Sequence, residues 1–286
     1  MGNDTAVTQR QRLGWFLLVI LLLLRIPYTI AIIYILPIEN QNGAAVYELG
    51  TYLLMALLIW WEREQLNEFH LDSSALFLII CFRPLQTLIL SYWHVDSPLA
   101  FPRPLGLALW VISIGLLTAL IRSGFTPSRF SYRASLWLFI GLLAGAGLSI
   151  TEERQSFWST LNHGDSSQAG LTPVLFSTTL NLLYHLGFAP INEEPLFRGF
   201  LWGYLRQLKW KEIVIWLFQA VLFTSAHLYL IEQFPWMFWV FVPLAGLLFG
   251  LLTWRCRSIA PAMLAHALVN GSVYLLIAVL ILQILK

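Results

Sequence analysis

The sequence places two adjacent glutamates and an arginine in "NEEPLFR", residues 192–198, within a chain that is otherwise mostly apolar. Glu194 and Arg198 stand four apart, so on a helix they share a face and can pair. Glu193 is turned about 100° away from its neighbour and is left to a partner from another helix. Pro190 and Pro195 bracket the stretch. The expected arrangement is a helix that starts or kinks at Asn192, with Asn192 as its cap and both carboxylates near its positive end. Two adjacent carboxyls given different surroundings are how acid and base roles become separated.

Two further patterns join this one. "FTSAH" sets Phe223 and His227 one turn apart, and "HALVN" does the same for His266 and Asn270. Phe223 reads as packing. His227 can share a proton network with Glu193 and a water, while His266 and Asn270 can donate hydrogen bonds to an oxyanion. A carboxylate that activates water, beside a group that polarises a carbonyl, makes an amide hydrolase without a serine or cysteine nucleophile.

The elements that must hold these residues are membrane helices. The chain of 286 residues is 58% hydrophobic and 11% charged, with mean hydropathy +0.71, against about 25% charged residues in soluble domains. Runs such as "LGWFLLVILLLL" and "PLGLALWVISIGLLTAL" approach the roughly 20 residues that span a bilayer. They do not alternate as porin strands do. The fold class is therefore all-α, a polytopic transmembrane helical bundle of eight or nine membrane helices. The expected spans are 13–36, 46–61, 74–93, 104–121, 134–150, 173–190 continuing toward 206, 212–229, 236–253 and 259–284. The polar loop 151–172 divides N-terminal helices of unassigned role (1–150) from a C-terminal part (173–286) that carries the unusual residues.

Lys and Arg cluster at Arg10/Arg12, Arg122/Arg129/Arg133, Arg206/Lys209/Lys211 and Arg255/Arg257. By the positive-inside rule these clusters face the cytoplasm, together with the N-terminus. The opening residues lack a cleavable signal pattern. Trp60, Trp61, Trp93, Trp202, Trp210 and Trp254 fall near span ends, where tryptophan anchors at the interface. Cys81 and Cys256 are expected as small buried hydrophobes rather than a disulfide. GxxxG spacing at Gly141/Gly145, Gly199/Gly203 and Gly246/Gly250 points to close helix crossings. No basic face suggests nucleic acid. Counted from the basic clusters, Glu193 lies about 20 Å into the bilayer, His227 about 24 Å, and His266 with Asn270 about 14–20 Å. Ionisable groups at such depth default to function.

In order and spacing, "EEPLFRG", "FTSAH" and "HALVN" resemble the EExxxR, FxxxH and HxxxN signatures of the CPBP family, which contains CAAX prenyl endopeptidases and bacteriocin-processing or self-immunity (Abi) proteins. The resemblance covers about residues 185–275. It implies a glutamic intramembrane endopeptidase without metal or cofactor, acting on a membrane-anchored protein or peptide. Carried over, Glu193 is the base that activates water, assisted by His227. Glu194 and Arg198 organise the site, and His266 and Asn270 form the oxyanion pocket. The short loops suggest a prokaryotic plasma membrane. Two other readings remain open: a zinc hydrolase built on Glu193, His227 and His266, and a non-enzymatic proton-coupled transporter or scaffold. The sequence says nothing of oligomeric state.

Overall fold

The computed structural model describes residues 132–163, 171–186, 189–228, 230–271 and 273–285, with isolated positions before them. The expected spans 13–36, 46–61, 74–93 and 104–121 lie outside these residues apart from scattered helical positions, as do Arg10, Arg12, Arg122, Arg129, Trp60, Trp61, Trp93 and Cys81. Every element described is helical. In chain order they are α1 (Tyr132–Glu152), α2 (Arg154–His163), α3 (Leu171–Leu186), α4 (Ala189–Glu194), a π-helical turn π1 (Pro195–Leu201), α5 (Trp202–Gln207), α6 (Glu212–Ser225), α7 (Leu230–Gln233), π2 (Met237–Phe241), α8 (Val242–Cys256), α9 (Ala260–Asn270) and α10 (Val273–Ile284).

Among these residues, Ser135–Glu152 and Met237–Cys256 are long and apolar enough to cross a membrane, and they match two of the expected spans. The span expected at 259–284 is instead two helices, α9 and α10, bent by 72°. The crossing expected between 173 and 206 is divided into α3, α4, π1 and α5. Much of the stretch expected as a polar loop, 151–172, is the helix α2, which buries Phe157 and so gains an apolar anchor that its mean polarity conceals.

α9 is the centre of the bundle. Ala262, Ala265 and Ala267 are fully buried there, and their small size lets neighbouring backbones come close. α1 crosses α9 through Gly141 and Gly145. A Cβ on Gly141 would stand 2.7 Å from the Pro261 carbonyl oxygen, and one on Gly145 would stand 2.6 Å from that of Ala265. α8 meets α6 in the same way. A Cβ on Gly246 would press on the Phe223 ring at 3.2 Å, and one on Gly250 would run into Gln219. Two of the three expected glycine pairs thus sit at helix crossings. At Gly203 an added Cβ meets no described atom within 4 Å. We expect Gly145→Ala to destabilise the fold by about 1–3 kcal/mol, as overpacking does. Thermal unfolding in detergent checks this, and an unchanged transition would mean that α1 can move off α9.

Large apolar side chains line the outside. Phe139 and Leu143 of α1, Leu217 and Val221 of α6, and Trp239 of π2 are all exposed. Water would not favour such a surface, whereas lipid tails do. Trp202, expected as an interfacial anchor, is instead fully buried and donates its indole N–H to Glu212 Oε2 at 2.9 Å. The one described cysteine, Cys256, is half-buried.

Candidate active site

Local chain chemistry sets the frame. Pro190 lies in the first turn of α4, where a missing N–H costs nothing. It therefore helps to start the helix at Ala189, three residues before the expected start at Asn192. The glutamates consequently sit beyond the first turn, not at its positive end. Asn192's side chain lies outside the described residues. Pro195 cannot donate the next helical hydrogen bond, and the chain widens there into the seven-residue π1. Such π turns occur often at functional sites.

The wider turn still brings Arg198 back under Glu194. Arg198 Nη1 donates to Glu194 Oε1 at 3.2 Å, and both side chains are fully buried. Arg198 Nη2 donates to the Gly246 carbonyl at 3.2 Å. The guanidinium lies 4.3 Å over the Phe223 ring and 5.6 Å from the centre of Phe249. A buried cation is tolerable only when paired and enclosed in this manner. The expected Glu194–Arg198 pair is present.

His266 adds a contact that spacing alone did not suggest. Its Nδ1 donates to the same Glu194 Oε1 at 2.9 Å, so one carboxylate oxygen joins π1 to α9. Nε2 is thereby turned toward Glu193, 4.0 Å from its Oε2. That separation is too long for a direct hydrogen bond. The imidazole stacks on Phe249, with ring centres 5.0 Å apart and planes at 19°.

Glu193 faces the other way, as expected from its position on the helix. Its side chain is 28% exposed, and Oε2 has no hydrogen-bond partner among the described residues. It lines a cavity of about 260 Å³ together with His227, His266 and Asn270. His227 Nδ1 is 2.8 Å from the Phe223 carbonyl oxygen. A carbonyl only accepts, so Nδ1 carries the proton and a neutral ring has its lone pair on Nε2. Apolar walls from Leu230, Met237, Phe241 and Phe249 complete the space. All six expected residues therefore surround one place: Glu193, His227, His266 and Asn270 on the cavity wall, with Glu194 and Arg198 behind it.

One wall residue escaped the sequence reading. Glu152, the last residue of α1, also lines the cavity. Its signal was a carboxylate at a span end, where a solvated charge is ordinary. Only the packing of α1 along α9 turns it inward. Among the described residues no group of three His, Cys, Asp or Glu side chains is placed to hold a metal ion.

Residues 174–272 match the family model described as type II CAAX prenyl endopeptidase Rce1-like. The matched segment contains Glu193, Glu194, Arg198, His227, His266 and Asn270, and it agrees with the resemblance carried by the three signatures. No curated protein and no solved structure matches the chain. With the apolar helices, the match supports an integral membrane protein with a peptidase segment of the CAAX-protease kind.

Proposed function

We propose that the protein is a glutamic-type intramembrane endopeptidase that hydrolyses a peptide bond of a membrane-tethered protein or peptide in a prokaryotic plasma membrane. The observation that carries this reading is the inequality of the two glutamates. Glu194 is fully buried and bound to Arg198 and His266. Glu193, one residue earlier, lines the cavity with a partly exposed side chain whose Oε2 accepts no hydrogen bond from the described residues.

In the proposed reaction a water held by Glu193, with help from His227, loses a proton to the Glu193 carboxylate as its oxygen attacks the carbonyl carbon. The negative charge that develops on the carbonyl oxygen is met by Asn270 and by the imidazolium form of His266, which donates from Nε2 while its Nδ1–H stays bonded to Glu194. Collapse of the tetrahedral intermediate breaks the C–N bond. The proton held by Glu193 passes to the leaving nitrogen, and the carboxylate is restored. Glu194 and Arg198 fix His266 and do not meet the substrate.

The zinc alternative requires Glu193, His227 and His266 to converge on one point, and no such set is placed for a metal among the described residues. A library of membrane-tethered peptides, offered to purified protein in nanodiscs and read by mass spectrometry, tests the proposal. We expect cleavage that a chelator leaves unchanged. Cleavage abolished by the chelator and restored by zinc would replace the glutamic mechanism. No cleavage by folded protein would favour the transporter or scaffold.

A further inference from the structure

The two ends of the bundle are chemically unlike, and the cavity belongs to one of them. Glu212 opens α6 and binds Arg206 Nε at 2.8 Å and Arg257 Nη1 at 3.2 Å. This cluster ties together the end of α5, the start of α6 and the end of α8. Lys209, Lys211 and Arg255 lie in or beside the same short connections. α1 begins at that end too, because it runs parallel to α9: Gly141 meets Pro261, and Gly145 meets Ala265 four residues further along both helices. Arg133 lies in the first turn of α1.

The cavity lies at the opposite ends of the same helices. Glu152 closes α1, His227 follows α6, Met237 opens π2 and Asn270 closes α9. Along the fifth path, Glu193 comes before π1 and Arg206 is near its far end. At the cavity end the described Lys and Arg residues amount to Arg154, whose guanidinium lies 4.6 Å over the Trp236 ring. Short loops rich in Lys and Arg stay on the cytoplasmic side, and acidic residues contribute little to that choice.

We infer that the cavity lies at the non-cytoplasmic end of the bundle, so that the peptide bond it takes belongs to a segment emerging from the outer leaflet. The substrate half of this inference rests on the endopeptidase reading, while the orientation stands without it. A prenylated C-terminus on a cytoplasmic protein would be presented at the wrong face. The fitting substrate is an outward-facing juxtamembrane segment of an anchored protein, or an exported peptide held at the outer surface.

Orientation is measured first, independently of any activity. Single cysteines are introduced as Gln155→Cys beside the cavity end and Arg255→Cys at the basic end, with Cys81 and Cys256 replaced by Ser. Cells are treated with a membrane-impermeant maleimide before and after permeabilisation. We expect Gln155→Cys to label fully in intact cells and Arg255→Cys to label only after permeabilisation. The reverse pattern overturns the inference. Trypsin on the unaltered chain gives the same answer should a variant fail to fold: cleavage at Lys209 or Lys211 in inside-out vesicles but not in right-side-out ones is expected, and the opposite overturns it.

The second arm uses single-span reporters with a randomised peptide segment on one face or the other. Cleavage of outward segments alone supports the full inference, and cleavage of inward segments alone overturns it. Outward orientation with neither reporter cut upholds the orientation and overturns the substrate assignment together with the endopeptidase reading beneath it.

Discussion

Glu193→Gln is expected to lower the rate of peptide cleavage by about 10²–10⁴-fold, the usual contribution of a positioned general base, while the protein stays folded. The substitution keeps the shape of the side chain. It also breaks no bond that holds the helices together, because Glu193 Oε2 has no hydrogen-bond partner among the described residues and the side chain is partly exposed. An amide cannot accept the proton of the attacking water, so loss of rate with an unchanged unfolding transition would locate the base at this position. Retained cleavage would sink the glutamic mechanism. A loss of rate accompanied by a lower transition would mean instead that the carboxylate is structural.

Arg198→Met should have the opposite signature, a loss of stability first. Removing one partner of a buried charge pair leaves the other uncompensated, at about 3–5 kcal/mol. Here the stranded group is Glu194, fully buried and also bonded to His266, so the contact between π1 and α9 is weakened as well. The double variant Glu194→Gln/Arg198→Met removes the stranded charge and should recover part of the loss. The comparison that gives this meaning is Arg257→Met. Arg257 is 48% exposed, and an ion pair so open to solvent contributes about 1 kcal/mol or less. Equal effects at Arg198 and Arg257, measured by thermal unfolding, would show that the buried pair is not a keystone of this fold.

The site was legible in the sequence to the extent that it is local. Four-residue spacing placed Arg198 under Glu194, and the step from Glu194 to Glu193 placed the second carboxylate on another face; both hold. Spacing could not show that His266 would reach Glu194, because that bond joins residues 72 apart and depends on α9 lying where the small residues of α1 and α9 permit it. Glu152 was illegible for the same reason. The start of α4 was misplaced because Pro190 was read only as bracketing the stretch, whereas its position in the first turn makes it a starter. Hydropathy found the continuous helices and missed the breaks. A window that averages apolarity does not register a missing N–H at Pro195 or the 72° bend between α9 and α10. Trp202 was assigned to the interface from its place near a span end, but its indole found Glu212 and was buried with it.

The length of one helix that carries the site bears on the membrane itself. α6 has 14 residues, which at 1.5 Å per residue reach about 21 Å, against a hydrocarbon layer of about 30 Å. α6 presents apolar side chains outward along this short length. A bilayer that meets a hydrophobic surface shorter than itself thins to match it, at a modest elastic cost for each ångström. The site would then sit in a dimple of its own making, where the aqueous phase dips toward the cavity and a tethered chain needs less slack to descend. Lipid would help to shape the site, and bilayers of different acyl length would be a means of tuning it.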